Sequence, residues 1–578
     1  MYDIDWKIAG VGGMGAMGVG LIFSKFMMRT GYWVVDYNEY NSIIKGGHNT
    51  FQVRASLEVN YCVSSKVDLL IALDEYSLIY SNSLKNDSSV ILCDWELIKD
   101  KTVVDRSRVV DVPFSVINKS EGGDEIMKNI IALGASLALI GADIDICVDI
   151  LNEQFGKKGD LVVEKNIKLL KAGYNYILGK YRNYMVLFTR KHGMYKTIEP
   201  SDKRYLITGN EAIALSSVEE GLGFFAAYPM TPASSILHYL ASISSDYNFV
   251  VKQTEDEIAA INSAIGASFA GARSMTSTSG GGFALMTEGL GLAAITETPI
   301  VVCVVSRPGP STGMPTWTDQ GDLRFVMHSS QGEFLRVVLT PSDPEECFRL
   351  TKVAFYLSEK YQIPVIILTD KYIAEGHWSC RIDLNITTAS RNSLISQVAL
   401  DRIETYERYS DTPSGITPRS LPGMKKGEYL ANSDEHDNYG INSEDASNRL
   451  VQLNKRYTKK LARLISELPT NKIYGNKDSK NAVITFGSLK NQVLESMKTN
   501  TNFKYMNLRC VCPFPTSEVN SFLDGIDNLF VIENNYIGQL AGLIREYVGR
   551  APNYQLLKDD GRPIQYEEIL DFMKKNGY

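Results

Sequence analysis

QTEDEIAAINSAIGASFAGARSMTSTSGGGFALMTEGLG, residues 253–291, decides how this chain is read. It opens on three acids, Glu255, Asp256 and Glu257, ahead of Ile258, Ile261, Ile265 and Phe269 at helical spacing. A helix with one apolar face is expected. Acids at a helix start ordinarily serve the dipole, worth about 0.3–1 kcal/mol. Glu257 stands where the apolar stripe begins, and burial there would raise its pKa and suit it to share a proton with a heteroaromatic nitrogen. Small residues along the same helix (Ala259, Ala260, Ala264, Gly266, Ala267, Gly271) allow another backbone to approach. Thr276-Ser-Thr278-Ser-Gly280-Gly281-Gly282 then reads as a polar glycine loop between a strand and the next helix, able to face a ligand.

Upstream, the buried strand FFAA runs into Tyr228-Pro229-Met230-Thr231-Pro232-Ala233-Ser234-Ser235. Thr231 is expected at the C-terminal end of a parallel strand, where α/β sheets hold ligands. Ser234 or Ser235 is expected to cap the following helix. Downstream, the strand IVVCVVS leads into the Pro-, Gly- and Thr-rich loop Arg307–Asp322. Arg307 is either a clamp for a carboxylate or phosphate or one half of a surface ion pair.

The flanking segments share the alternating pattern. Residues 1–190 alternate apolar runs with helical patterns, which argues a parallel α/β sheet. Gly10-Val-Gly12-Gly13-Met-Gly15 sits between a strand and a helix, and Asp36 ends the second strand. That is either a dinucleotide fingerprint or a glycine-rich turn that binds no dinucleotide. Lys45-Gly46-Gly47-His48-Asn49 is either a backbone nest for phosphate or a turn into the strand TFQVRA. Residues 204–380 form a second α/β segment. Residues 381–470, rich in Pro, Gly, Ser, Asn and charge, read as an irregular connector ending in a basic helix. Residues 471–578 form a third α/β domain, with NAVITFGS and NLFVIENNY as strands and GQLAGLIREYVGR as a helix.

Composition narrows the function classes. Of 578 residues, 44% are hydrophobic and 22% charged, which excludes a disordered chain. The net charge of −7 leaves no basic footprint for nucleic acid. No secretory leader and no membrane span is expected. The eight cysteines are scattered except for Cys510-Val-Cys512, and they match no iron–sulfur or zinc framework. Scattered thiols suit a reducing cytosol, so a cytoplasmic location is expected.

Taken together, these clusters resemble the 2-oxoacid:ferredoxin oxidoreductase family, in the form whose alpha subunit carries a fused gamma domain. YPMTPASS, the quoted stretch 253–291, GPSTGMPTWTDQGDL and the tail VIENNYIGQLAGLIR occur in the family's order. The first domain is similar to its gamma domain, although Lys45 stands where family members usually carry Arg. The resemblance implies three α/β domains, one of the thiamine pyrimidine-binding type and one like the transketolase C-terminal domain. It implies Glu257 and Thr231 as catalytic residues, with Thr231, Arg307 and Trp317 at the substrate. Tyr228, Pro229, Glu257, Thr278 and Gly280 would meet thiamine diphosphate. Gly12, Gly13, Gly15, Lys45, Gly46, Gly47 and Asn49 would meet coenzyme A or a phosphate.

The activity implied is oxidative decarboxylation of a 2-oxoacid to acyl-CoA and carbon dioxide, possible in reverse. The chain has no Gly-Asp-Gly followed by paired asparagines to hold a magnesium diphosphate. A beta subunit is therefore expected to supply Mg2+, half of the thiamine site and a [4Fe–4S] cluster, in an αβ or (αβ)2 assembly that reduces ferredoxin. Trp317 replaces a basic residue of the family loop and cannot form a bidentate ion pair. The expectation that follows is a monocarboxylic acid such as pyruvate in preference to 2-oxoglutarate. Two other readings stand beside this one: a non-catalytic assembly subunit, and an NAD-dependent oxidoreductase built on the first glycine turn.

Overall fold

A computed structural model describes residues 3–42, 47–80, 85–193, 195–198, 203–383 and 393–578. The first segment supplies strands β1 (Asp3–Val11), β2 (Trp33–Glu39), β3 (His48–Ser56), β4 (Val67–Ala72), β5 (Lys85–Cys93) and β6 (Val109–Asp111). The middle segment supplies β7 (Tyr205–Thr208), β8 (Leu222–Ala227), β9 (Val250–Gln253), β10 (Arg273–Thr278), β11 (Ile300–Ser306), β12 (Val337–Leu339), β13 (Pro364–Asp370) and β14 (His377–Cys380). The last supplies β15 (Lys472–Gly475), β16 (Asn481–Phe486), β17 (Lys504–Leu508), β18 (Cys510–Cys512), β19 (Asn528–Glu533) and β20 (Tyr554–Leu557).

The first sheet has the order β6-β5-β4-β1-β3-β2-β14-β7 and is mixed, not parallel as the alternation suggests. β3 runs antiparallel to both β1 and β2 and lies between them. A hairpin-like return of this kind leaves the same apolar alternation as a parallel strand, so periodicity does not reveal it. Ile4, Trp6 and Ile8 point to one face of β1, where Trp6 stacks on Phe23 of the helix Ala16–Arg29 at 4.4 Å. Asp5 points to the other face, beside Arg54 of β3. Arg54 in turn pairs with Glu495 of the last segment at 3.0 Å. The polar face of the first sheet is thus roofed by the C-terminal segment.

The central sheet has the order β18-β12-β13-β11-β10-β8-β9. Its five middle strands, from β12 through β8, are parallel, and β11 is buried along its whole length. A strand covered on both sides reads as a continuous apolar run, and alternation then divides its side chains between two cores. Val301, Cys303 and Val305 pack with Ile213, Ile236 and Phe348. Val302 and Val304 pack with Ile261, Phe283 and, from the last segment, Ile484 and Leu540. The third sheet has the order β15-β17-β16-β19-β20.

Strands cross the expected boundaries. β7 and β14, the first and last strands of the middle segment, hydrogen-bond within the first sheet. β18, from the last segment, pairs with β12 of the central sheet. The irregular region after residue 392 is also tied down. Glu297, fully buried, accepts hydrogen bonds from Lys455 and Lys460, and its carbonyl accepts one from Arg408 at 3.0 Å. The basic helix of the sequence is therefore an anchor, with Lys455 and Lys460 turned inward.

Candidate active site

Three neighbouring parallel strands, β8, β10 and β11, end at one rim of the central sheet. After β8 the chain turns through Tyr228 to Thr231. The helix Ser234–Tyr247 follows, and Ala233 occupies its N-cap without any side-chain cap bond. The serine-cap expectation therefore fails, because Ser235 Oγ instead accepts from Asn210 Nδ2 at 2.7 Å. β11 hands over to Arg307, whose guanidinium donates to the Thr231 carbonyl at 2.5 Å. β10 ends at Thr278, whose hydroxyl lies 3.7 Å from Met230 Sδ. Thr231, Thr278 and Arg307 are thus held together at the C-terminal ends of the strands, where the crevice of such sheets lies.

The acids sort themselves by burial. Glu255 is exposed. Asp256 is the N-cap of the helix Glu257–Phe269 and accepts from the Ala259 amide at 2.7 Å. Glu257 is 3% exposed and Ile258 is 49% exposed, so the buried stripe starts on the acid and not on the isoleucine. Burial pushes the Glu257 carboxyl up from its ordinary range and Asp256 adds to this, while Arg307 and its own backbone amide oppose it. Glu257 Oε1 has no hydrogen-bond partner among the described residues. An unpaired buried polar atom costs about 1–3 kcal/mol, so this oxygen is suited to receive a donor from a ligand.

The glycines make that geometry possible. Gly280, Gly281 and Gly282 form the first turn of the helix Gly280–Ile295, not a loop before it. A Cβ on Gly282 would lie 2.2 Å from Thr278 Oγ1 and 2.4 Å from Glu257 Oε1. A Cβ on Gly280 would lie 2.4 Å from Asp322 Oδ1. Two carboxyl groups therefore rest against this helix start. Asp322 is held by Ser306 Oγ at 2.9 Å, and burial raises its pKa while Ser306 and Arg307 oppose the rise.

The loop from Arg307 to Asp322 is gripped by the C-terminal segment. The Gln320 amide donates to the Asn534 carbonyl at 2.7 Å, and the Thr318 amide donates to the Gly561 carbonyl at 3.1 Å. Trp317 is 8% exposed, and the Arg562 guanidinium lies 3.7 Å from its ring centroid. Burial, with Asp322 and Asp370 adding to it, pushes Asp319 up to about 7 against the amides of Gln320 and Gly321. Sequence reasoning missed Arg562 and Asp319. The glycine at 561, followed by an arginine, was the available signal for the first.

In the first domain, Gly13 and Gly15 adopt positive φ, and the Gly12 amide donates to the Gly47 carbonyl at 2.9 Å. The two glycine clusters therefore meet. Asn49 lies in β3 opposite Gly10. His48 is 5% exposed, neither of its ring nitrogens has a hydrogen-bond partner among the described residues, and Tyr80 lies 4.3 Å from its ring centroid. Lys45 and Gly46 lie outside the described residues. Asp36 is fully buried and accepts from Ser24 Oγ at 2.8 Å and from the His377 amide at 2.9 Å. Its carboxylate binds the seam between the first sheet and β14 and is not presented to a ribose.

These features define a thiamine-type α/β domain held between two further α/β units. Residues 217–455 match the family model described as "Pyruvate flavodoxin/ferredoxin oxidoreductase, thiamine diP-bdg", and residues 5–176 match "Pyruvate ferredoxin/flavodoxin oxidoreductase". The chain is 32% identical to a 2-oxoacid:ferredoxin oxidoreductase subunit alpha from Sulfolobus sp, over 99% of this chain and 96% of that one. It is 32% identical to the 2-oxoglutarate synthase subunit KorA of Methanothermobacter thermautotrophicus, over 64% of this chain and 99% of that one. A solved 2-oxoglutarate:ferredoxin oxidoreductase from Magnetococcus marinus, with 2-oxoglutarate, coenzyme A and succinyl-CoA bound, superposes with a TM-score of 0.90. It is 30% identical and covers 100% of this chain and 99% of its own. The chain belongs to the 2-oxoacid:ferredoxin oxidoreductase family, among its alpha subunits. It is thus one subunit of a multisubunit oxidoreductase and carries the thiamine diphosphate-binding domain. Among the described residues no helix is long and apolar enough to cross a membrane.

Proposed function

We propose that this subunit holds the aminopyrimidine half of thiamine diphosphate through Glu257 and, joined to a beta subunit, oxidises a 2-oxoacid to acyl-CoA and carbon dioxide. The carrying observation is the buried, unpaired Glu257 Oε1 against the Gly282 cradle. A carboxyl whose pKa is raised by burial holds its proton more readily than a free carboxyl and can share it with a ring nitrogen. The bound cofactor supplies an electron sink for the electrons left by decarboxylation.

The chain's own residues do the rest. Arg307 pins the Thr231 turn by its carbonyl, which holds the Thr231 hydroxyl and the guanidinium as a pair beside the 2-oxoacid head. Thr278, Gly280, Tyr228 and Pro229 line the pyrimidine side. The C-terminal segment closes over the loop at Trp317 and limits water. The beta subunit brings the magnesium diphosphate site and the [4Fe–4S] cluster, and ferredoxin takes the electrons. The glycine junction of Gly12, Gly13, Gly15 and Gly47, with Lys45, Gly46 and Asn49, serves a phosphate of coenzyme A.

Trp317 by itself argues for a monocarboxylic acid. The cation stacked on its ring weakens that argument, and the relatives named for 2-oxoglutarate bring that acid into the substrate range. Co-purification with the beta subunit and a panel of 2-oxoacids, with thiamine diphosphate, Mg2+ and coenzyme A, tests the reading. Glu257→Gln is expected to lower turnover by about 100-fold or more while the complex still assembles. Undiminished turnover would favour an assembly role for this site.

A further inference from the structure

We infer that Arg562 reads the distal carboxylate of a dicarboxylic 2-oxoacid from its seat on the Trp317 ring. The inference rests on the 2-oxoacid reading above. Its basis is how Arg562 is built into the site loop. The segment before it is pinned at Gly561, where φ is +81° and a Cβ would lie 3.0 Å from Trp317 Cβ and 2.9 Å from Met314 Cε. Only a glycine lets the tail come this close to the loop. The Gly561 carbonyl accepts from the Thr318 amide. Asn534 Nδ2 donates to the Arg562 carbonyl at 3.2 Å, and Asn534 Oδ1 accepts from the Ile564 amide at 3.1 Å. The backbone around Arg562 is therefore fixed from both sides, and its side chain is fixed by the indole.

The charge so positioned is not spent within the chain. Among the described residues Arg562 makes no salt bridge; its guanidinium donates once, to the Asp560 carbonyl at 3.0 Å. The nearby Glu39 carboxylate, whose pKa Arg562 helps to lower, is already engaged by Lys7 at 3.6 Å and Thr50 at 3.0 Å. A guanidinium seated over an aromatic face still has N–H groups to offer a carboxylate. Thr316, next to Trp317, is 3% exposed and its hydroxyl has no hydrogen-bond partner among the described residues, which leaves a second donor at the same place.

The number of cations matters. Arg307 already stands at the Thr231 turn and suits the carboxylate that every 2-oxoacid carries. Arg562 is a second cation, brought by the C-terminal tail onto Trp317, which stands ten residues after Arg307 in the loop. Two separated cations match an acid with two carboxylates. A monocarboxylic acid would leave Arg562 with nothing to bind.

The test uses the purified complex of this chain with its beta subunit. Acceptor reduction is followed with 2-oxoglutarate and with 2-oxobutyrate for the parent, Arg562→Gln and Arg562→Lys. The expected result is a fall in the 2-oxoglutarate to 2-oxobutyrate ratio of kcat/KM by about 10- to 100-fold in Arg562→Gln, carried by KM, with partial recovery in Arg562→Lys. A tail that merely lost its staple would lower both activities together and leave the ratio unmoved. An unmoved ratio, or a parent complex that oxidises 2-oxobutyrate but not 2-oxoglutarate, overturns the inference. A parent complex that oxidises no 2-oxoacid overturns the reading beneath it.

Discussion

Gly282→Ala probes the cradle around Glu257 without touching a polar group. The added Cβ would lie 2.4 Å from Glu257 Oε1, whereas real Cβ contacts essentially never fall under 3.0 Å. The carboxyl must therefore retreat by at least about 0.6 Å, or the helix start must shift, because Thr278 Oγ1 blocks the other side at 2.2 Å. A displacement near 1 Å at a reacting group costs about 100-fold in rate. The expected loss in kcat/KM for 2-oxoacid-dependent acceptor reduction is about 10- to 100-fold. The cost in stability is smaller. Overpacking costs about 1–3 kcal/mol, and alanine's helix preference returns up to about 1 kcal/mol. The variant should therefore fold and assemble. Gly281→Ala is the matched control, since its Cβ meets only the Ser311 carbonyl at 3.6 Å. It should stay within about threefold of the parent. If Gly282→Ala keeps full activity at unchanged stability, the cradle does not position Glu257 for the reaction.

Two further expectations concern stability and its pH dependence. Glu257→Gln should stabilise the isolated chain by about 1 kcal/mol at pH 8, because it removes a buried charge whose Oε1 has no hydrogen-bond partner among the described residues. The folded-state pKa of Glu257 is raised, so this gain should fade as pH falls through that value and the acid takes up its proton; denaturant melts at pH 8 and pH 5 check the sign. Glu346, which joins Arg509 and Ser342 across the middle and C-terminal segments, is held down at about 2 against the cost of burial by Lys490 and Arg509. Its depressed pKa contributes stability that is present above the ordinary value of about 4.5 and is lost as pH falls toward 2. Glu346→Gln should cost about 2–4 kcal/mol at pH 7, with the gap to the parent closing in acid.

The sequence carried most of the fold because long apolar runs, glycine turns and helix periodicity are local signals. Glu257 was legible for that reason: it begins the stripe that the helix buries. What stayed hidden depends on contacts between distant segments. Nothing local distinguishes the antiparallel β3 from a parallel strand, nor reveals that β7 and β14 pair with the first sheet. Asp36 has the position of a ribose acid, and only the arrival of His377 shows where its charge goes. Ser235 has the look of a cap, and Asn210 takes its oxygen. Trp317 reads as a lost cation until Arg562, far along the chain, is found on its ring.

Glu257, in our proposal, activates the cofactor from this chain. The direct measurement is the rate at which the C2 proton of bound thiamine diphosphate exchanges with D2O, in the assembled complex, for the parent and for Glu257→Gln. Exchange should slow by about 100-fold or more in the variant while cofactor binding and assembly persist. Equal exchange rates in the two complexes would show that Glu257 does not activate the cofactor.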